Sequence, residues 1–215
     1  MAVACLSCAH SNPAGGNFCA ECAAPLPLSG EEDYFSAFGL ARVLGVDPGW
    51  LKTAYFDLCR RLHPDAHVSD SPEIQEATLR RSAFLNDGYK VLRDPVSRVR
   101  YLVSLEGRKI GDGRTTTTAA QFEMMEAIQD ARLNEDPVLR EVRLREVGAR
   151  VGAVKEAALR SLDDLGRRWD ALPREALVDE MRDRLDEIAY ADRMMLAVEE
   201  ARAPEASGKG GRNEQ

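Results

Sequence analysis

The chain lacks the features that would place it in a membrane. Its 215 residues contain no apolar run of the roughly 18–20 residues that a spanning helix needs. The opening MAVACLSC has neither the basic and apolar regions of a signal peptide nor the arginine-rich character of a transit peptide. Because nothing directs the chain elsewhere, we expect a soluble, cytoplasmic protein with no membrane partner.

Positive charge is also in short supply. The formal net charge is −7, and residues 33–107 hold ten basic and ten acidic side chains. Residues 119–203 hold fourteen basic side chains against twenty acidic ones. Binding to a phosphate backbone requires a basic surface that displaces counterions, and no segment supplies one. We therefore expect no nucleic acid partner.

Composition divides the chain into five parts. Residues 1–32 form a cysteine-rich module that ends in the linker PLPLSGEE, and residues 33–107 carry helical signals. A second linker at 108–118 is rich in Gly and Thr, and residues 119–203 are strongly helical again. The small, polar tail at 204–215 is expected to be disordered.

Helix boundaries in residues 33–107 are marked by proline. Proline suits the first helical position, because its missing N–H would be unpaired there in any case. Three such starts occur, at Asp47-Pro48, Ser71-Pro72 and Asp94-Pro95. The first of these helices must end at Leu62-His63, since a residue before proline is pushed out of the α region. The third is expected to end at Gly107.

The C-terminal part is predicted to contain three helices. The first covers Ala119–Leu133 with Phe122, Met125 and Ile128 on its apolar stripe. The second follows Pro137, with Val138 and Val142 beginning its inward positions, and the third follows Pro173. Each should bury one stripe in a three-helix bundle. Since no strand alternation occurs outside the cysteine segment, the fold class is all-α.

The turn His63-Pro64-Asp65 lies between two predicted antiparallel helices, directly after Arg60 and Arg61. Cations are favoured at a helix C-terminus, so the arginines and the turn form a compact polar knob suited to an acidic groove on a partner. No Ser, Cys or Lys nucleophile is signalled beside His63, and we expect no enzyme activity. The alternative interpretation is a simple connector, because Pro and Asp are common in turns.

Several segments around this turn resemble the J-domain family, and more narrowly the HscB family of co-chaperones in iron–sulfur cluster assembly. They are DYFSAFGL at 33–40, AYFDLCRRLHPD at 54–65, LNDGYKVLRDP at 85–95 and RYLVSLEG at 100–107. The resemblance covers nearly the whole chain. It implies a J-domain helical hairpin packed on a C-terminal three-helix bundle.

The resemblance also implies partners and roles. His63, Pro64 and Asp65 would stimulate ATP hydrolysis by a DnaK/HscA-type chaperone, and Arg60 and Arg61 would pair with its acidic surface. Ala66 departs from the lysine of many J-domains and removes one cation near the contact. A general J-protein with a different client would share the same triplet.

The client in the resembled family is the scaffold protein IscU, held by the C-terminal bundle. The matching positions here are Phe122, Met125, Glu126 and Gln129. The family's usual acidic residues around Gln129 and Ala131 are partly missing. Phe122 and Met125 also fit an ordinary core stripe, so both interpretations stay open at this stage.

The four N-terminal cysteines are arranged as two CxxC pairs, Cys5/Cys8 and Cys19/Cys22, ten residues apart. Two such turns can place four thiolates around one ion, a closed tetrahedral site that suits structural zinc. Iron in a rubredoxin-like site uses the same ligands. A zinc-ribbon regulator that binds nucleic acid is the third interpretation of the chain. Cys59 stands alone and is predicted to be a small core side chain.

Overall fold

A computed structural model describes residues 2–111 and 119–203. Two short strands, β1 (Ala2–Ala4) and β2 (Ser11–Pro13), pair antiparallel with Ala2 opposite Pro13. The helices of the described residues are α1 (Tyr34–Ala37), α2 (Pro48–Arg61), α3 (Pro72–Arg93), α4 (Pro95–Leu105), α5 (Ala119–Arg132), α6 (Pro137–Ala171) and α7 (Glu175–Arg202). The predicted all-α class is confirmed. None of these helices is long and apolar enough to cross a membrane.

Tertiary contacts group the chain into two compact units. The first contains Met1–Arg108 and Asp164–Asp179, and the second contains the described parts of 109–163 and 180–215. Helices α6 and α7 each contribute residues to both units. The predicted division into 33–107 and 119–203 stays a prediction. Residues 112–118 of the predicted second linker and the predicted tail at 204–215 lie outside the described residues.

The proline-marked starts of α2, α3 and α4 are confirmed. Asp47 caps α2 by accepting a hydrogen bond from the Trp50 N–H at 2.6 Å, and Asp94 caps α4 through Ser97 N–H at 2.7 Å. Ser71 makes no such side-chain bond, so proline alone marks the start of α3. Helix α2 ends at Arg61 with Leu62 as its cap, as the following His63-Pro64 requires.

The hairpin of α2 and α3 is held by aromatic and polar contacts along its length. The rings of Tyr55 and Tyr89 stack with centroids 4.2 Å apart, and the Tyr55 hydroxyl donates to Asn86 Oδ1 at 2.8 Å. Nearer the turn, the Ser82 hydroxyl donates to the Leu62 carbonyl at 3.1 Å. These bonds set the position of the turn at the end of the hairpin.

Helix α1 packs against α3 at Gly88, a position without a side chain. A Cβ atom at Gly88 would lie 3.0 Å from the Tyr34 ring, closer than packed atoms normally approach. Tyr34 also stacks on Tyr101 of α4 at 4.6 Å, and its N–H donates to the Tyr101 hydroxyl. The glycine therefore permits the close approach that joins these three helices.

Arg81 of α3 is fully buried, with 0% of its side chain exposed. Its Nε donates to the Leu26 carbonyl at 2.6 Å, and its Nη2 donates to the Pro27 carbonyl at 2.8 Å. Nη1 donates to Asn17 Oδ1 at 3.1 Å, and the Glu32 carboxylate lies 3.5 Å from Nη2. Burial lowers the pKa of this guanidinium, and the charge of Glu32 opposes that effect. A buried charge is tolerated only when it is paired and hydrogen-bonded, and every partner here comes from residues 17–32.

The residues of α6 that belong to the first unit support the loop before α2. The Asp170 carboxylate accepts hydrogen bonds from the N–H groups of Leu44 and Gly45 at 2.7 and 2.6 Å. The indole of Trp169 donates to the Arg42 carbonyl at 2.8 Å. These bonds explain why the end of α6, from Asp164 onward, groups with the N-terminal residues rather than with the rest of the helix.

The second unit has its own apolar core. The buried side chains that form it are Met124, Ile128, Ala131, Leu144, Val147, Val151, Ala191, Val198 and Ala201. The inward placement predicted for Val138 and Val142 is wrong, because both are exposed. Exposure also excludes the core-stripe interpretation of Phe122 and Met125, whereas Ile128 is buried as predicted. Helix α5 buries the stripe that begins at Met124, which leaves Phe122 and Met125 outside it.

We expect Arg81→Met to lower the free energy of unfolding of the first unit by about 3–5 kcal/mol. The substitution leaves the Leu26 and Pro27 carbonyls buried without a donor. It also removes the cation beside the Glu32 carboxylate, which keeps hydrogen bonds from the Ser29 and Gly30 N–H groups. Urea unfolding followed by tryptophan fluorescence measures this, since Trp50 and Trp169 both lie in the first unit.

The matched control is Arg80→Met at the neighbouring position. The Arg80 side chain is 72% exposed and pairs with the exposed Glu76, so the change should stay within about 0.5 kcal/mol. Equal effects of the two substitutions would contradict the role assigned to Arg81.

Candidate functional site

The four N-terminal thiols come together at one point. Cys5 Sγ lies 3.5 Å from Cys22 Sγ, Cys8 Sγ lies 3.7 Å from Cys19 Sγ, and all four sulfur atoms lie within 4.8 Å of one another. Zinc–sulfur bonds of about 2.3 Å in a tetrahedron separate the sulfurs by about 3.8 Å. The cluster could therefore hold a metal ion, as the CxxC spacing predicts.

Both CxxC turns are built in the same way. In the first, the Cys5 N–H donates to the His10 carbonyl and the Ala9 N–H donates to the Cys5 carbonyl, both at 2.9 Å. The second turn repeats these bonds through Cys19, Ala24 and Ala23. Ala9 and Ala23 both adopt a positive φ, 60° and 57°, a conformation that costs about 1–2 kcal/mol for a residue with a Cβ. The repeated geometry aims both cysteines of each pair at the same point.

Asn12 connects the two turns and was not predicted as part of the site. Its buried amide donates to the His10 carbonyl at 3.0 Å and to Cys19 Sγ at 3.5 Å. Its Oδ1 accepts from the Ala20 N–H at 2.9 Å. Hydrogen bonds to a ligand atom orient it and stabilise its charged form. The imidazole of His10 is not among the clustered ligand atoms.

The thiols of the cluster differ in acidity. Burial disfavours the Cys19 thiolate, but the N–H groups of Cys22 and Glu21 outweigh it and lower the pKa of Cys19 to about 6. The N–H of His10 favours the Cys8 thiolate, but hydrogen bonding with Cys22 and burial raise the pKa of Cys8 to about 12. Without a cation, the cluster therefore keeps part of its protons at neutral pH. Metal binding would release them.

We expect a Cys19→Ser variant to bind less than one metal ion per chain and to lose protection of the amides that order the module. Hydrogen exchange at Cys5 and Ala20 N–H reports that loss, because both amides bond within the module. Far-UV circular dichroism should change little, since the long helices lie outside it.

Cys59→Ser is the control for the metal site. Cys59 lies on α2 and is half-buried outside the cluster, so elemental analysis should give the wild-type metal content. If Cys19→Ser bound as much metal as Cys59→Ser, the tetracysteine site would be wrong.

The second feature of the first unit is the turn at the end of the α2–α3 hairpin. A single 3₁₀ turn covers Pro64–His67, and the Asp65 N–H donates to His63 Nδ1 at 3.3 Å. The side chains of His63 and Asp65 are 60% and 90% exposed. Both polar ends of the predicted triplet thus face solvent, and the proline between them restricts the backbone.

His67 braces this turn, a role that the sequence analysis missed. Its Nε2 lies 2.9 Å from the Arg61 carbonyl, and its Nδ1 lies 2.7 Å from Asp70 Oδ2. Both partners are acceptors, so only the protonated imidazolium donates to both at once. His63 and His67 have the i, i+4 spacing of a helical metal pair, yet their rings have separate partners here.

The two arginines before the turn have different surroundings. Arg60 is exposed and pairs with Asp57 Oδ1 at 3.1 Å. The guanidinium carbon of Arg61 lies 3.5 Å from the centroid of the Phe18 ring, a close cation–π contact. Phe18 belongs to the cysteine module, so the module reaches the residues next to the triplet.

In the second unit, the predicted client residues share one exposed face of α5. Phe122, Met125, Glu126 and Gln129 follow the i, i+3, i+4, i+7 spacing, and all four are exposed. Phe122 and Met125 are 53% and 42% exposed, so neither serves as a core residue.

The fold has solved counterparts, although no protein-family model matches the chain. A crystal structure of human co-chaperone protein HscB matches with a TM-score of 0.63 and 25% identity, over 91% of this chain and 96% of that one. By architecture, the chain is thus an all-α protein whose fold is similar to that of this co-chaperone.

Relatives with similar sequences are also named HscB. The iron–sulfur cluster co-chaperone protein HscB of Mus musculus is 29% identical over 190 residues, 85% of this chain and 78% of the relative. A co-chaperone protein HscB homolog of Shewanella baltica (strain OS223) is 31% identical over 110 residues, 49% of this chain and 63% of the relative. These findings confirm the resemblance to HscB that the sequence motifs predict.

Proposed function

We propose that this protein is a co-chaperone that stimulates ATP hydrolysis by a DnaK/HscA-type chaperone and delivers an IscU-type scaffold protein for iron–sulfur cluster transfer. ATP hydrolysis takes place in the chaperone, so the proposal requires no active site in this chain. The similarity to a protein named as an iron–sulfur cluster co-chaperone supports this choice of pathway.

The observation that carries the proposal is the exposed, braced His63-Pro64-Asp65 turn. Two well-exposed polar side chains on a rigid hairpin can dock without a large loss of conformational entropy. The His67 contacts with Arg61 and Asp70 hold the backbone of the turn in place. Asp65 makes no ion pair shorter than 3.6 Å within the described chain, which leaves its carboxylate available to a basic group on the chaperone.

The surroundings of the turn fit a mixed polar and apolar contact. Arg60 and Arg61 supply positive charge on the α2 side. On the α3 side, a notch of about 140 Å³ opens beside Asp65, and Val68 and Leu79 line it with exposed apolar surface. Apolar contact would supply affinity, and the charges would supply orientation.

His63→Gln and Asp65→Asn should each abolish most of the stimulation of single-turnover ATP hydrolysis by the cognate chaperone. We expect a loss of about tenfold or more, because each removes a charge-assisted contact at the centre of the interface. The control is Asp87→Asn, an exposed aspartate of α3 that pairs with Lys90 and leaves the turn unchanged.

Addition of IscU distinguishes the two co-chaperone interpretations. Further stimulation by IscU supports the iron–sulfur role, whereas stimulation that depends on the turn but ignores IscU favours a general J-protein with a different client. Absence of any stimulation by the folded, metal-loaded protein would refute both. Salt-dependent DNA binding would instead favour the zinc-ribbon regulator.

The client surface that we propose is the exposed face of α5. Phe122 and Met125 offer adaptable apolar contact, and Glu126 offers a charge partner within the same turn of helix. The acidic surplus of residues 119–203 is suited to a basic client surface.

The double variant Phe122→Ala/Met125→Ala should weaken IscU binding by about tenfold or more and leave thermal stability nearly unchanged, since both side chains lie outside the core. Isothermal titration calorimetry and thermal unfolding measure the two effects. Leu196→Ala, at another exposed apolar residue of the second unit, should bind IscU normally. A large loss of stability without a loss of affinity would contradict the proposal.

We propose zinc as the metal of the tetracysteine cluster. Four thiolates leave no open position, which is typical of structural rather than catalytic zinc. Cys5, Cys8, Cys19 and Cys22 would bind the ion, and its binding energy, about 10–16 kcal/mol in zinc peptides, would fold a module with a very small core. Elemental analysis separates zinc from iron, the alternative with the same ligands.

A further inference from the structure

Three consecutive residues connect the metal cluster to the hairpin. Cys19 is one of the four clustered thiols. Phe18, directly before it, lies under the guanidinium of Arg61. Asn17 donates to the Ala37 carbonyl at 2.7 Å and accepts from buried Arg81 at 3.1 Å. A shift of Cys19 would therefore displace Phe18, because Asn17 on its other side is hydrogen-bonded to α1 and α3.

Arg61 is held through both its backbone carbonyl and its side chain. Its carbonyl accepts the contact from His67, which braces the turn, and its guanidinium rests on the Phe18 ring. Within the described residues no carboxylate pairs with Arg61, whereas Arg60 pairs with Asp57. Arg61 is still exposed, because the ring covers only one face of the guanidinium. Its other face and its N–H edges remain open to a partner.

We propose that Phe18 is a positioning residue that holds Arg61 in place for the chaperone, and that metal binding at the cysteine cluster keeps Phe18 in that position through Cys19. The inference rests on the proposed function, because it assigns the cysteine module a part in chaperone docking. The metal would thus act on the docking surface without lying in it.

The physical basis is the conformational entropy of arginine. A free arginine loses on the order of 2 kcal/mol of rotamer freedom when it becomes fixed in an interface. Arg61 has already lost part of that freedom on the Phe18 ring, so less remains to be lost on binding. A cation–π contact at an exposed site corresponds to about a two- to fivefold change in an equilibrium constant. We expect an effect of that size on chaperone affinity.

The first experiment tests the coupling without the chaperone. In the metal-loaded protein, the ring current of Phe18 should shift the side-chain NMR resonances of Arg61 upfield of random-coil values. Removal of the metal by a chelator and the variant Phe18→Leu should each return them toward random-coil values. Phe18→Tyr keeps the aromatic face and should preserve the shift. A shift that survives chelation would overturn the link to the metal, and no shift in the loaded protein would overturn the contact itself.

The second experiment measures affinity for the ATPase chaperone in a double-mutant cycle. Phe18→Leu should weaken binding about two- to fivefold, and Phe18→Tyr should bind like the wild type. In an Arg61→Gln background, Phe18→Leu should have no further effect, provided that metal content is unchanged. An equal loss in both backgrounds would show that Phe18 only stabilises the module, and would overturn the positioning role.

Failure of the proposed function gives a different result. A wild-type protein with the expected Arg61 shift and no measurable affinity for any DnaK-type chaperone refutes the proposed function, and the docking role of Phe18 with it. A wild-type protein that binds the chaperone and shows no dependence on Phe18 refutes only the further inference.

Discussion

The fully buried cation of Arg81 organises the first unit. The guanidinium of Arg81 has left water completely, so each of its donors must find an acceptor within the protein. α3 supplies none of these acceptors, because its own carbonyls are used in the helix. They come instead from Asn17, Leu26, Pro27 and Glu32, which lie on both sides of the second CxxC turn. The cysteine module is therefore bound to the helical hairpin by a charge that cannot remain buried without it.

This anchoring explains how a module with a four-residue core can keep a defined position. Val3, Cys5, Cys19 and Leu26 are its buried apolar side chains, too few to hold a fold without further support. Metal–thiolate bonds would fix the cysteine turns, and Arg81 fixes the segments beside them. The same segments reach Arg61 and the docking turn. In the second unit, by contrast, the core packs independently and leaves Phe122 and Met125 on an open face of α5.

The parts that sequence reasoning predicted correctly depend on local physics. A proline disfavours the α conformation in the residue before it and lacks an N–H, so Pro48, Pro72 and Pro95 each occupy the first position of a helix. Two cysteines separated by two residues form a turn that aims both sulfurs at one point, whichever fold follows. The exposed His63-Pro64-Asp65 turn and the all-α class follow from the same kind of information.

Contacts between residues that are far apart in the chain decided which side chains are buried, a question that the sequence left open. The predicted stripe of α5 held Phe122, Met125 and Ile128, and only packing against α6 and α7 selected Met124, Ile128 and Ala131 instead. Arg81 lies at the stripe spacing of Thr78 and Leu85, a signal that a charged side chain normally cancels. Its acceptors are 49 to 64 residues away in the chain. Burial of a charge, and the choice between two stripes, depend on partners that local periodicity cannot reveal, and so only the tertiary structure settles them.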